Sequence, residues 1–278
     1  MRDGIWILML MIHFFSISII RAFYSQVFPT RLSALPSSHT LFSSLLQQPL
    51  KKYSHFTSAL RMMSSDNRMM SPSAQRNAPH ILNVFQQHVV SREDPGGAES
   101  IKILEIASGS GEHAVNIAGA LGNQVTWQPT DVDESSLRSI QSWITAAGVT
   151  NVLEPFPLDV ACFDPASFPV EGWSTVDGIV NINMVHISPW SCCEGLWRTA
   201  GALVRPGGFV YMYGPFCVEG SMVESNQRFD QSLRSRNPEW GVRNLEDICN
   251  LASSEGFEFE KKVEMPANNL SLIFCKSS

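Results

Sequence analysis

The stretch Ile101-Lys-Ile-Leu-Glu-Ile-Ala-Ser-Gly-Ser-Gly-Glu-His113 decides the fold of this chain of 278 residues. The apolar run that opens it has the length and the β-branched content of a buried parallel strand. Two glycines follow, and apolar residues then recur at helical spacing at Ala114, Ile117, Ala118 and Leu121. The stretch therefore predicts a strand, a tight loop and a helix in succession.

The two glycines of this stretch, Gly109 and Gly111, predict a cofactor site. A residue without Cβ lets backbone N–H groups approach a ligand closely, and the N-terminus of the following helix favours nucleotide-like groups. The same residues satisfy the dinucleotide pattern G-x-G-x-x-G/A, and Asp131 lies 20 residues after Gly111, near the spacing of a ribose-binding acid. An NAD-dependent oxidoreductase is therefore one interpretation that stays open.

Glu105 favours another cofactor, because a dinucleotide fold needs no acid inside this strand. The run Glu105-Ile-Ala-Ser-Gly109-Ser-Gly111 resembles the first motif of class I S-adenosylmethionine-dependent methyltransferases, acid-x-G-x-G-x-G, with Ala107 in place of the first glycine. The resemblance implies an α/β three-layer sandwich with a Rossmann-like, seven-stranded, mostly parallel sheet and an antiparallel last strand. It also implies that S-adenosyl-L-methionine is the cofactor and that the acid helps to hold its methionine end.

A narrower resemblance begins at the predicted helix that precedes this strand. With Arg76, Asn77 and Pro79, the opening of the domain is similar to that of the methyltransferase-like protein 26 family, and the similarity runs from about Ser71 to Lys276. We therefore expect a methyltransferase-like domain over residues 69–278.

Residues 1–68 differ in composition from the rest and predict a targeting or disordered leader. Residues 1–70 carry a net charge of +5, which leaves −11 for residues 71–278, so that nucleic acid is an unlikely partner. The first apolar segment is too short to predict a stable membrane span. The leader is basic and rich in serine, as organellar transit peptides are, and predicts a mitochondrion or plastid if it is used. A start at Met62, Met63 or Met69 predicts the cytoplasm.

Further cofactor contacts are expected where the next predicted strands end. Asp131 ends the second strand, where an acid can accept from both ribose hydroxyls. The resemblance implies that Val132 lines the adenine and that Asp159, at the end of the third strand, accepts from its amino group. Asp133 is either a ligand or a helix cap, and Asp159 could instead open a turn.

The fourth strand predicts the reaction site, because polar residues follow it at the sheet edge where open α/β sheets bind ligands. We assign Asn181 to the cofactor and Asn183, His186 and Tyr213 to catalysis. His186 would act as general base on an acceptor hydroxyl, thiol or amine, while Asn183 and Tyr213 orient it. In the alternative, positioning alone suffices and His186 is a structural buried histidine. A substrate lid is expected from Arg76, Asn77, Phe216 and Arg234.

Together these patterns predict methyl transfer from S-adenosylmethionine to a small molecule or a protein side chain. The alternatives are an NAD-dependent oxidoreductase and a cofactor-binding regulatory protein without turnover. No cluster of residues has the spacing of metal ligands, so no metal site is predicted. The sequence identifies neither the methyl acceptor nor the oligomeric state.

Overall fold

The computed structural model describes residues 66–90 and 100–278. The chain divides into two compact units, Met1–Ser65 and Asp66–Ser278, and the description below concerns the second. The predictions about the leader up to residue 65 lie outside the described residues. Within the described residues, no helix is both long enough and apolar enough to cross a membrane.

Six helices and nine strands are described here in chain order. The helices are α1 Pro72–His88, α2 Glu112–Leu121, α3 Glu134–Ala147, α4 Trp190–Leu203, α5 Glu224–Arg236 and α6 Leu245–Ser254. The strands are β1 Ile101–Ile106, β2 Val125–Asp131, β3 Phe156–Pro157, β4 Val176–Ile182, β5 Val204–Gly214, β6 Phe216–Cys217, β7 Arg243–Asn244, β8 Phe257–Met265 and β9 Asn269–Lys276.

Seven of these strands form one sheet in the order β3-β2-β1-β4-β5-β9-β8, and β6 pairs with β7 separately. Only the pairings of β9 with β5 and with β8 are antiparallel in this sheet. The predicted seven-stranded, mostly parallel sheet with an antiparallel last strand is confirmed. The strand order reverses between β1 and β4, and such a reversal opens a crevice at the carboxyl ends of the strands.

Helices cover both faces of the sheet, as a three-layer sandwich requires. On one face, α1 and α2 bury Phe85 and Ile117 against β1, β2 and β5. The ring centroid of Phe85 lies 4.7 Å from that of Tyr211 and 5.7 Å from that of Trp127. On the other face, α4 and α6 bury residues such as Trp197 against β4, β5 and β9. This packing fixes the strand ends that carry the candidate site.

The third strand is shorter than the prediction that it ends at Asp159. The observed strand β3 has only two residues and ends at Pro157, with one isolated bridge between Val152 and Trp127. Pro155 and Pro157 explain the difference, because proline has no N–H to donate to a strand ladder. Between β6 and β7 lies the helix α5, which has Glu224 in its first turn and arginines in its last.

Candidate active site

The glycine loop, residues 107–111, connects β1 to α2 and lies beside the crevice between β1 and β4. Ala107, Gly109 and Gly111 have φ values of 60°, 57° and 88°, in the left-handed region that favours glycine. Gly111 also packs closely, because a Cβ there would lie 2.8 Å from Cα of Ile140. A Cβ on Gly109 would meet no atom within 4 Å. The loop is therefore packed against α3 at Gly111 and open at Gly109.

Asp131 holds the glycine loop to the end of β2. Its carboxylate Oδ2 accepts the backbone N–H of Gly109 at 2.8 Å, and Oδ1 accepts that of Asp133 at 3.0 Å. The backbone N–H of Ser108 donates to the carbonyl of Thr130 at 2.8 Å. Each carboxylate oxygen has about two lone-pair sites, so both can accept a further donor. The assignment of Asp131 to the ribose stays a prediction, and this geometry is compatible with it.

Glu105 lies on β1 below the loop and is buried. The indole Nε1 of Trp127 donates to its Oε2 at 3.0 Å. Burial raises the pKa of Glu105 to about 7, and this effect exceeds the lowering by its hydrogen bonds with Ser108 and Trp127. The negative charge of Asp131 raises this pKa further. A cationic ligand group would therefore find a buried carboxylate that has no cationic partner among the described residues.

The three residues expected near the adenine have different surroundings. Val132 is 65% exposed directly after Asp131, where an apolar side chain on the surface can cover a flat ligand. Asp133 is the N-cap of α3 and accepts the backbone N–H of Ser136 at 2.9 Å. Of the two predicted roles of Asp133, ligand or helix cap, this geometry is that of the cap. Asp159 is exposed, and its Oδ1 accepts the N–H of Ala161 at 3.0 Å in a turn. Its contact with adenine stays a prediction.

Asn181 lies on β4 beside the start of the loop. Its Nδ2 donates to the carbonyl of Ile106 at 3.1 Å, across the β1–β4 pairing. Its Oδ1 is buried without a hydrogen-bond partner among the described residues. Buried polar atoms are normally paired, so this oxygen marks a place for a ligand donor.

His186 follows β4 and lies in a tight, largely apolar pocket. Asn183, in the left-handed conformation with φ 66°, donates its backbone N–H to the carbonyl of Tyr213 at 2.8 Å and starts a short 3-10 turn that ends at His186. The His186 ring lies edge-on to Phe216 with centroids 4.8 Å apart. A Cβ on Gly214 would collide with Nε2 of His186. A glycine is therefore required where the histidine ring meets β5.

The environment of His186 keeps its ring neutral. Burial, and then the positive charge of Arg243, lower the pKa of His186 to about 3. Neither ring nitrogen has a hydrogen-bond partner among the described residues. A general base works best when its pKa is near the operating pH. The surroundings therefore favour the alternative in which His186 shapes the site, and its role as a base stays a prediction.

Tyr213 does not join His186 through its side chain. Tyr213 packs with Tyr211 on the face of α1 and α2, whereas His186 packs on Phe216 on the opposite face. Burial raises the pKa of Tyr213 to about 12, so its hydroxyl keeps its proton at neutral pH. The structure thus brings Asn183 to the Tyr213 backbone but separates the two side chains that were expected to act together.

The four expected lid residues do not form one group. Arg76 is exposed and Asn77 half-buried on α1. Phe216 is buried beneath His186. Arg234 pairs with Asp230 at 2.9 Å and lies beside Gly241. In this conformation Phe216 packs against His186 from within the core, and Arg234 contacts the loop at Gly241. Both side chains therefore help to hold the site in place.

Sequence reasoning missed Arg243, which fixes the turn that carries His186. Its Nε donates to the carbonyl of Val185 at 2.8 Å, and its Nη2 donates to that of Ser188 at 2.7 Å. The guanidinium also lies 5.6 Å from the centroid of the Trp190 ring. No local pattern marks this arginine, because two of its three partner carbonyls lie more than 50 residues away and only that of Glu239 is near in sequence. Glu112, also missed, bonds to the start of α1.

One known protein family matches most of this chain. A family model described as "Protein of unknown function (DUF938)" matches residues 68–276. The chain belongs to the DUF938 family. The match covers the sheet, all six helices and the glycine loop of this DUF938 protein.

Solved structures show which fold this DUF938 chain has. An O-methyltransferase family 2 protein from Planctomyces limnophilus, solved with apigenin, matches with a TM-score of 0.60 and 18% identity over 73% of this chain and 58% of that one. An O-methyltransferase family protein from Burkholderia thailandensis matches with a TM-score of 0.58 and 16% identity over 72% of this chain and 56% of that one. Human N-acetylserotonin methyltransferase, solved with SAM, matches with a TM-score of 0.53 and 15% identity over 72% of this chain and 55% of that one.

These matches show that the DUF938 chain has the fold of class I S-adenosylmethionine-dependent methyltransferases. The chain spans little more than half the length of the three proteins. What those proteins bind does not follow from the likeness alone, because a fold does not imply a function.

Proposed function

We propose that this chain is a class I methyltransferase that transfers a methyl group from S-adenosyl-L-methionine to a small molecule or a protein side chain. We further propose that it falls in the methyltransferase-like protein 26 family, on the resemblance of residues 71–276. The proposal is carried mainly by one observation, the hydrogen bond that holds the Asp131 carboxylate at the glycine loop, with Gly109 open in front of it.

The sheet order favours this cofactor over NAD. The classic dinucleotide-binding sheet has the order 3-2-1-4-5-6. Here the antiparallel strand β9 lies between β5 and β8. The buried Glu105 below the loop is the second difference, because a dinucleotide fold needs no acid inside this strand. Both features support the methyltransferase interpretation over the NAD-dependent alternative, which rests on the G-x-G-x-x-G/A pattern and the spacing to Asp131 alone.

The residues around the loop fit the parts of this cofactor. Glu105 and Oδ1 of Asn181 are buried acceptors that would hold the methionine ammonium group. Asp131 would accept from the ribose hydroxyls, and Val132 and Asp159 would border the adenine. Bound S-adenosylmethionine supplies a methyl group on a positively charged sulfur.

The acceptor side of the site acts by positioning. With the cofactor bound, the acceptor atom would bond to the methyl carbon as the carbon–sulfur bond breaks, and the acceptor proton would pass to solvent or to His186. Asn183 and His186 lie in the 3-10 turn that follows β4 and would orient the acceptor there. Correct orientation can lower such a barrier by about 7–11 kcal/mol. The function therefore needs no strong base in the chain.

Calorimetry with the full chain tests the cofactor. We expect S-adenosylmethionine to bind and NAD not to bind. Asp131→Asn should lower the affinity by roughly 10-fold or more, since it removes charge-assisted hydrogen bonds. Asp133→Asn is the matched control and should change the affinity little, because Asn is also a good N-cap. NAD binding at the same site, or equal affinities for the parent and Asp131→Asn, would refute the proposal.

Turnover separates an enzyme from a regulatory protein that only binds the cofactor. The full chain is incubated with methyl-labelled cofactor and with pools of small-molecule and peptide acceptors. If the parent transfers label to one pool and the Asp131→Asn variant does not, the chain is an enzyme and that pool identifies the class of acceptor. Tight binding with no transfer to any pool would favour the regulatory alternative.

The location in the cell is part of the same proposal. We propose that the leader directs the chain to a mitochondrion or plastid, and that a start at Met62, Met63 or Met69 leaves it in the cytoplasm. Fluorescent fusions of the whole chain and of a chain starting at Met62 should separate the two compartments. Identical distributions of both fusions would contradict a targeting leader.

A further inference from the structure

Glu112 is a buried carboxylate to which the proposed function gives no role. It is 1% exposed and is the first residue of α2, directly after Gly111. Burying a carboxylate is unfavourable unless hydrogen bonds replace its water. The position at a helix N-terminus offsets part of this cost, because the helix dipole favours negative charge there. The rest must come from its hydrogen-bond donors.

These donors join two parts of the chain that are distant in sequence. The backbone N–H of Ser71 donates to Oε2 of Glu112, and Nε2 of Gln75 donates to Oε1 at 2.9 Å. The hydroxyl of Ser110, in the glycine loop, donates to Oε2 at 3.2 Å. Glu112 therefore links the start of α1 to the loop.

A second connection runs parallel to the first. The backbone N–H of Met69 donates to Oγ of Ser139 at 2.8 Å, and that hydroxyl donates to the carbonyl of Ser110 at 2.7 Å. Nε1 of Trp143 donates to the Met69 carbonyl at 3.0 Å, and the guanidinium of Arg68 lies 5.0 Å from the Trp143 ring centroid. The residues on both sides of Gly111 are thus connected to residues 68–75, which we call the strap.

We propose that Glu112 is a positioning residue that couples the strap to the glycine loop, so that an ordered strap raises the affinity of the loop for the cofactor. This inference rests on the proposed function. Glu112 acts through the loop and not by touching the cofactor, because its carboxylate is buried and accepts from Ser71, Gln75 and Ser110. Together with the hydrogen bond from Gly109 to Asp131, both connections hold the loop in the conformation that gives Gly109 and Gly111 their positive φ angles.

The test compares Glu112→Gln with the parent in the full chain. Glu134→Gln is the matched control, because Glu134 is also the first residue of a helix but is exposed and forms an ion pair with Arg138 at 3.0 Å. An amide cannot accept from both Ser71 and Gln75 as a carboxylate does. We expect Glu112→Gln to weaken S-adenosylmethionine binding about 10-fold, and Glu134→Gln to leave it unchanged.

Hydrogen exchange of the ligand-free protein gives a readout that needs no cofactor. In Glu112→Gln, peptides that cover the strap and the glycine loop should exchange faster together, while peptides from β5 and β9 stay as in the parent. A merely structural role would instead speed exchange throughout the domain. If the coupled change occurs but the parent binds no S-adenosylmethionine, the proposed function fails and the coupling stands.

Two results would overturn the inference while leaving the proposed function intact. One is unchanged affinity and unchanged exchange in Glu112→Gln. The other is weakened binding with unchanged strap exchange, which would mean that Glu112 contacts the cofactor directly.

A second variant keeps the test decisive if Glu112→Gln does not fold. Gln75 is exposed, so Gln75→Ala removes one donor with little risk to the core. It should weaken cofactor binding about 3-fold and speed exchange of the loop. If Glu112→Gln does fold, Gln75→Ala should add less than this in the Glu112→Gln background, because mutations within one hydrogen-bond network are not additive. No effect of Gln75→Ala on loop exchange would refute the coupling.

Discussion

Glu105 and Trp127 are joined across the neighbouring strands β1 and β2 by a hydrogen bond of 3.0 Å from the indole N–H to the carboxylate. The hydrogen bonds of Glu105 with Trp127 and Ser108 do not offset the burial of the carboxyl group, and its pKa is raised to about 7. A group with this pKa is only partly ionised at neutral pH, so its charge depends on what binds beside it.

The first prediction concerns the pH dependence of stability. Because burial raises the pKa of Glu105 above its ordinary value of 4.5, the neutral form is favoured in the folded state. The protonated Glu105 therefore contributes stability that is present below pH 4.5 and is lost as the pH rises through 7. In the parent, this loss should lower the free energy of unfolding by roughly 2 to 3 kcal/mol between pH 5 and pH 8. Urea unfolding at the two pH values should show that Glu105→Gln lacks this decrease. An unchanged pH dependence in Glu105→Gln would refute the raised pKa.

The second prediction concerns the proton balance of cofactor binding. A cationic ligand group beside Glu105 lowers its pKa, so binding at pH 7 should release a fraction of a proton. Calorimetry in two buffers of different ionisation enthalpy measures this release directly. Glu105→Gln should abolish it. Proton uptake by the parent would show that no positive group approaches Glu105.

The third prediction concerns the strained residue of the glycine loop. Ala107 has φ 60°, which costs an L-residue about 1 kcal/mol or more, and glycine adopts this conformation without strain. We expect Ala107→Gly to leave the free energy of unfolding equal or higher by up to about 1 kcal/mol. Ala118→Gly, inside α2, is the control and should destabilise by about 1 kcal/mol. Equal destabilisation by both changes would refute the strain.

The fourth prediction concerns His186. Because burial lowers its pKa to about 3, the ring has no titration step near neutral pH. We expect kcat to show no His186-dependent inflection between pH 6 and 8, and His186→Ala to lower stability while the folded fraction turns over nearly as the parent does. A loss of 100-fold or more in kcat, with cofactor affinity kept, would instead establish His186 as the base. His80→Ala, on the exposed side of α1, controls for loss of a histidine.

The fifth prediction concerns the start of the domain. Met69 and Arg68 contact Trp143, and Met69 also contacts Ser139. A chain that starts at Asp66 should therefore unfold at the same urea concentration as the full chain. A chain that starts at Ser71 should unfold at a lower one. Aggregation of the chain that starts at Asp66 would show that residues before 66 belong to the fold.

The sequence predicted the sheet and the loop because both depend on local patterns. A local sequence pattern of about ten residues indicates each of three features: the apolar run from Ile101, the two glycines and the antiparallel ending. Strict alternation along β5 also predicts that Tyr213 faces the same side of the sheet as Tyr211. The side that His186 faces does not follow from this alternation, because His186 lies in the 3-10 turn after β4.

Other features depend on contacts that no local pattern contains. The lowered pKa of His186 comes from its burial against Phe216 and Gly214 and from the charge of Arg243. Two of the three partners of Glu112, Gln75 and Ser71, lie 37 and 41 residues before it in the chain. Such long-range pairs follow only from the assembled fold, which is why sequence reasoning assigned neither Arg243 nor Glu112.

The position of β9 has a consequence for the order in which the sheet forms. The strand β9, Asn269–Lys276, lies inside the sheet between β5 and β8, and Leu272, Ile273 and Phe274 are buried there. Because β8 pairs with β9 and not with β5, it can join the sheet only through β9. On this side of the sheet, the strand that comes later in the chain must therefore be in place before the earlier one is attached.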